Sequence, residues 1–366
     1  MNYRERIMAV LRGGSADKIP LVHYDRHFPR GEVERKVRNM GVALCVSRPC
    51  FTYSRPNVEL IQRFTPEGLL VRTYNTPLGS VTEKLKVGVG YGEARYGRDW
   101  KGMQPRRVEF LIKKPEDYDI VKFIVEDTHY EPFYDAIEDA NHHLGDDGIV
   151  QVYLGYSPLQ TIIIEMVGFH NFYVDYLKNR RKVEELYEAL DRKYEEKYKI
   201  AAEAPADFIL YGDNIDGQLV SPKFFERYCL PAYKKCADKI HSKGKILGVH
   251  MDGRLNVLKN LIGKANIDVV EAFTPPPLGD LRIDEALDLW ESKVIWMNYP
   301  SSVCLMGPEA VKKHTLELLK QVVPGDRLLI TASTENVVPH DSLLMLTEII
   351  SKVKLPFSKE DIEKIK

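Results

Sequence analysis

From Gly148 to the end of the chain, short apolar runs alternate with longer amphipathic or charged stretches, and this rhythm restricts the fold more than any other feature. The runs are Ile149–Leu154, Phe208–Tyr211, Ile246–Val249, Asp268–Ala272, Val294–Met297 and Leu328–Thr331. Between them, 181–200, 222–242, 283–291 and 308–321 carry apolar residues at helical spacing, and a last such stretch lies near 341–353. Alternation of this kind implies a parallel sheet, either a closed barrel or an open doubly wound sheet. Ile19–Tyr24 and Val42–Val46 supply two further strands, so the expected class is α/β, a (β/α)8 TIM barrel.

Residues 3–12 have the spacing of a helix that stops at Gly13-Gly14. From about 67 to 111 the texture changes to Val/Thr/Tyr-rich pieces cut by Gly79, Gly88, Gly90, Gly92 and Gly97, which predicts a β-hairpin excursion inserted before Ile149. The 366 residues exceed the usual length of one domain, yet they fit a single barrel domain over 1–366 that carries such an insertion. The insertion is a candidate lid, docking face or homodimer surface.

Composition excludes several classes. Apolar residues at 44% and charged residues at 29% are those of a globular chain, against disorder or a coiled coil. Lys plus Arg (52) balance Asp plus Glu (53), so no net field favours nucleic acid or an anionic membrane. No run approaches the roughly 18 apolar residues of a membrane helix. The opening MNYRERIMAVLRGG is too polar for a signal peptide, and a cytoplasmic location is expected. Cys45, Cys50, Cys229, Cys236 and Cys304 form no CxxC pair and are odd in number, which predicts reduced thiols packed as small apolar groups. Gly88-x-Gly90-x-Gly92 lacks the strand-to-helix setting of a phosphate loop, and GxxxxGK[ST], HExxH and GxSxG are absent. The charged segment Arg181–Lys199 reads as a solvated outer helix with i,i+4 pairs.

In a barrel the chemistry lies where strands end, and polar residues gather there. The strand 208–211 runs into Gly212-Asp213-Asn214, and 246–249 into His250-Met251-Asp252-Gly253. Glu271 lies within 268–272, and the last two strands lead to Asn298 and to Ser333-Thr334-Glu335-Asn336. Singly, each is as well explained as a turn former or helix cap. Jointly they mark a site. His250-x-Asp252 has a spacing that permits chelation, with Glu335 and Glu271 as candidates for a third ligand.

Three segments then resemble the uroporphyrinogen decarboxylase superfamily. RERIMAVLRGGSADKIPLVHYD is similar to its first helix and strand, DNIDGQLVSPKFFERYCLPAYKKCADKIHSKGKILGVHMDG to its central run, and TASTENVVPHDSLLMLTEIISKV to its final loop and helix. The resemblance implies a (β/α)8 barrel and one of two chemistries, metal-free decarboxylation of a tetrapyrrole or zinc-dependent methyl transfer with corrinoid proteins. The decarboxylases hold substrate carboxylates with an Arg-Gln-Ala-Gly-Arg type of motif, where this chain has Asp25-Arg26-His27-Phe28-Pro29-Arg30, which disfavours a polycarboxylate. The coenzyme M methyltransferases place a His-x-Cys pair after one strand and a further Cys in the final loop. Here those positions read His250, Asp252 and Glu335, which implies a zinc site of one nitrogen and two oxygens and sets thiol activation aside.

The resemblance thus implies methyl transfer from an oxygen-bearing donor, an aryl or alkyl methyl ether, to the cobalt of a corrinoid (cobalamin) partner protein. Asp213, Asn214 and Glu271 are the catalytic candidates, and Tyr156, Asn298 and Ser333 the substrate-binding ones. The alternative is a metal-free lyase in which Asp25, Arg26 and His250 handle a smaller carboxylated substrate. A barrel kept as a binding scaffold is a third reading, weakened by the clustered acids.

Overall fold

The computed structural model of the chain describes residues 1–27, 30–87, 106–332 and 338–365. Its strands, in chain order, are β1 (Leu21–Tyr24), β2 (Val42–Arg48), β3 (Phe51–Ser54), β4 (Glu59–Phe64), β5 (Leu69–Thr76), β6 (Gly79–Lys86) and β7 (Arg106–Glu109). They continue with β8 (His129–Pro132), β9 (Gly148–Tyr153), β10 (Phe208–Tyr211), β11 (Ile246–His250), β12 (Val269–Phe273), β13 (Val294–Asn298) and β14 (Leu328–Thr331). Internal contacts group the chain into two compact units, one of residues 1–49, 134–155 and 204–366, the other of residues 50–133 and 156–203.

The first unit is a closed parallel barrel in the order β1-β14-β13-β12-β11-β10-β9-β2, with β2 returning to β1. These are the same eight runs that the sequence marks as strands. Every residue of β1, β10, β12, β13 and β14 is buried, and a strand covered on both faces reads as a mostly apolar run, here interrupted by His23, Glu271, Asn298 and Thr331. Alternate residues, among them Val22 and Tyr24, Ala43 and Cys45, Phe208 and Leu210, and Val294 and Trp296, join in one core. The helix Tyr3–Leu11 begins at a capping box of Asn2 and Glu5 and adds Ile7, Met8, Val10 and Leu11 to that core. Its Arg4 pairs with Asp207, which precedes β10, so this helix sits at the end where the strands begin. The opposite end carries the strand C-termini.

Glycine is required at the start of β9. A Cβ on Gly148 would stand 1.8 Å from the carbonyl oxygen of Leu44, its partner on β2, so no side chain fits between these strands. The stretch read as one helix over 222–242 is a helical turn, a wide π-turn at Phe225–Cys229 and a helix Leu230–His241. Pro231 explains the break, since it has no N–H for a regular turn and its ring crowds the preceding one.

The second unit holds the antiparallel sheet β4-β5-β6-β7, the antiparallel pair β3-β8, and helices that include Asp117–Glu126, Phe169–Lys178 and Arg180–Glu203. Its sheet begins at Glu59, ahead of the hairpin texture that the sequence shows from 67; Gly88, Gly90, Gly92 and Gly97 lie outside the described residues. The charged helix Arg180–Glu203 is amphipathic, with Val183, Leu186, Leu190, Tyr194 and Tyr198 buried. Among the described residues no helix is long and apolar enough to cross a membrane.

Candidate functional site

The parallel register of β11 and β12 sets His250 beside Glu271 at the strand C-termini. His250 Nδ1–H donates to Glu271 Oε2 at 2.6 Å. The other carboxylate oxygen, Oε1, accepts the O–H of Tyr24, the last residue of β1. Glu271, 1% exposed, therefore commits both oxygens within the protein. Tyr24 stacks on Trp296 with ring centroids 5.9 Å apart, and Trp296 Nε1–H donates to Thr331 Oγ1 at 2.7 Å. One chain of contacts thus runs from β1 through β12 to β11, and from β1 through β13 to β14.

A backbone irregularity aims Glu271. The register of β12 on β13 shifts between Glu271 and Phe273, and Ala272 between them has φ 62°. A residue with a Cβ in the left-handed region costs about 1 kcal/mol, and a bulge of this kind turns its neighbour's side chain relative to a regular strand.

With Nδ1 tied to Glu271, the free face of the imidazole is Nε2, which lies 3.5 Å from Asp252 Oδ2. Two ligands on one tetrahedral zinc, each about 2.0–2.1 Å from it, stand about 3.3–3.4 Å apart. The His250–Asp252 separation fits that bite, and the Glu271 carboxylate fixes the tautomer of His250 through Nδ1. Glu335 and Ser333 lie outside the described residues, and among the described residues no cluster of three or more His, Cys, Asp or Glu has metal-holding geometry.

Burial works against charge on His250, but the adjacent Glu271 and the contact with Asp252 outweigh it and raise its pKa to about 10. Burial likewise opposes ionisation of Asp252, yet its bond to His250 prevails and holds the carboxyl below its ordinary value. A metal ion at Nε2 must therefore displace a proton. Burial pushes the Cys45 thiol and the Tyr24 hydroxyl well above their ordinary values, so both stay protonated beside Glu271.

The other strand-end residues fall in different places. Asn298 closes β13 at 6% exposure, and its Oδ1 has no hydrogen-bond partner among the described residues. Asp213 is fully buried and accepts the Tyr233 O–H at 2.7 Å from the helix Leu230–His241, while Asn214 beside it is exposed. Tyr156 belongs to the second unit, where its carbonyl accepts from the Thr161 hydroxyl at 3.3 Å. Asp25 and Arg26 form a short turn after β1, with the Arg26 guanidinium 5.7 Å from the Tyr24 ring centre. Tyr24 and Trp296 escape the sequence reading, although Tyr24 ends a strand just as His250 does.

Comparison with known proteins agrees with this architecture. The family model for uroporphyrinogen decarboxylase (URO-D) matches residues 88–354. A solved methyltransferase from Methanosarcina mazei is 14% identical, with a TM-score of 0.58 over 95% of this chain and 98% of its own. At that identity the likeness is one of fold. No curated protein matches the chain.

Proposed function

Since the chain belongs to the uroporphyrinogen decarboxylase family, we propose that it is a methyltransferase that moves a methyl group from an aryl or alkyl methyl ether to the cobalt of a partner corrinoid protein. The reading rests on one observation, the His250 Nε2 to Asp252 Oδ2 separation of 3.5 Å with Nδ1 held by Glu271. It agrees with a fold neighbour that is itself a methyltransferase. His250 and Asp252 would hold a zinc ion, with Glu335 as the third ligand. Zinc bound there would supply a Lewis acid for the ether oxygen, the leaving group that keeps the electron pair of the broken carbon–oxygen bond when the reduced cobalt takes the methyl group.

The chain's own residues prepare this step. Glu271 fixes the ring of His250 and turns Nε2 toward Asp252. Tyr24 occupies the second oxygen of Glu271 and so keeps that carboxylate from swinging into the ligand sphere. Asn298 offers a carbonyl, unpaired among the described residues, to a hydroxyl or amino group of the donor. Asp213 holds the helix Leu230–His241 through Tyr233, and Asn214 lies beside it on the exposed side of the same strand end.

The test is demethylation of a panel of methyl ethers with reduced corrinoid protein, followed by the cobalt absorption spectrum. Turnover by the wild type and its loss in His250→Ala support the reading, and no turnover with any donor or corrinoid protein contradicts it. The metal-free lyase reading draws on the protonated His250 imidazole and on Arg26, in the turn after β1, as carboxylate binders. It predicts carbon dioxide release from a carboxylated substrate by chelator-treated protein.

A further inference from the structure

β4 is an edge strand. It pairs with β5 on one side, and among the described residues no strand pairs with the other. All six of its residues are exposed, including Leu60 at 46%, Ile61 at 46% and Phe64 at 60%. Exposed apolar edges recruit further strands unless a proline, a bulge or a cover blunts them. No proline falls within β4, and its register on β5 runs unbroken from Glu59↔Asn75 to Phe64↔Leu70.

We propose that β4 pairs antiparallel with β4 of a second copy of this chain, about a twofold axis that passes through Ile61 perpendicular to the sheet. Such an axis keeps each face of the sheet on its own side, so only residues of one face meet. Centred on Ile61, the pairing sets Ile61 against Ile61 and sets Glu59 of each copy against Arg63 of the other. On the opposite face Leu60 meets Gln62 and Val58 meets Phe64. Centring on Leu60 instead sets Glu59 against Ile61, and centring on Gln62 sets Ile61 against Arg63, so both neighbouring registers lose the ion pairs. Opposite charges directly across an antiparallel pair are favourable and like charges unfavourable, which selects the Ile61 register.

The charged groups are available for it. Asn75 Nδ2–H donates to Glu59 Oε2 at 2.8 Å, and neither Glu59 nor Arg63 makes an ion pair among the described residues. The contact is isologous, and it joins two four-stranded sheets into one continuous sheet with both β4 edges covered. It does not depend on the reaction that the barrel performs.

Sedimentation velocity over about 1–100 μM tests it, in the range where a modest interface dissociates. The wild type should dimerise. Glu59→Arg and Arg63→Glu should each weaken the dimer on the order of tenfold or more, because each places like charges across both ends of the pairing. The double variant should dimerise again, and an equimolar mixture of the two single variants should form a heterodimer. A wild type that stays monomeric throughout, a dimer indifferent to either reversal, or a mixture that fails to associate would each overturn the proposal.

Discussion

Replacing Glu271 with glutamine probes the most tightly defined contact in the site. Glu271 accepts two hydrogen bonds, from Tyr24 O–H and from His250 Nδ1–H at 2.6 Å, and is 1% exposed. Glutamine has the same shape but one acceptor and one donor, so either Tyr24 or His250 is left facing an N–H. A buried donor without an acceptor costs about 1–3 kcal/mol of stability. Loss of the carboxylate behind a ligating histidine typically weakens metal binding about 10–100-fold, which is about 1.4–2.7 kcal/mol. Zinc affinity measured by competition with a chromophoric chelator should therefore fall by that factor in Glu271→Gln. Tyr24→Phe alone leaves the Glu271–His250 bond in place and should change affinity only a few-fold. In the double variant the glutamine carbonyl is free to turn to Nδ1, so zinc should bind more tightly than in Glu271→Gln. Unchanged affinity in Glu271→Gln, or no recovery on adding Tyr24→Phe, would refute this arrangement.

Asn298→Leu should leave stability unchanged or raise it by about 1 kcal/mol in urea unfolding, because it removes a buried carbonyl that has no partner among the described residues, and it should raise KM for the methyl donor. A loss above about 2 kcal/mol would show that the carbonyl is satisfied. Gly148→Ala should abolish folding or lower stability by about 3 kcal/mol or more, read by thermal melting, since its Cβ would stand 1.8 Å from backbone that cannot retreat. Burial on β1 holds His23 down to about 3, against about 6.5 in the unfolded chain. Below pH 6.5 the unfolded chain takes up a proton that the folded chain refuses, so stability present above 6.5 is lost as pH falls, by about 1.4 kcal/mol per unit. Between pH 7.5 and 5 the wild type should lose about 2 kcal/mol more than His23→Phe, and equal losses would refute it.

The barrel is legible because each of its strands is a local signal. Phe208–Tyr211 and Leu328–Thr331 are apolar but for the closing Thr331, and in the structure they are strands with those same ends. The second unit is less legible, since it is assembled from two separated stretches and pairs β3 with β8 across an intervening sheet. The helix Glu32–Asn39 gives almost no apolar signal because only Val37 is buried. At the site, the strand-end rule picks out His250, Asp252, Glu271 and Asn298, but it cannot say which way each side chain turns. Asp213 turns to Tyr233, and Glu271 sits behind His250 with both oxygens engaged. The Tyr24–Glu271 bond joins the first barrel strand to one 247 positions later, and the bulge at Ala272 is a matter of register; neither leaves a local mark in the sequence.

The central claim is that His250, Asp252 and Glu335 hold zinc. Elemental analysis of protein prepared without chelators, on the wild type beside His250→Ala and Glu335→Ala, tests it most directly. About one zinc per chain in the wild type, lost in both variants, is the expected result for a three-ligand catalytic site. A wild type without metal, or zinc that survives both substitutions, would contradict it.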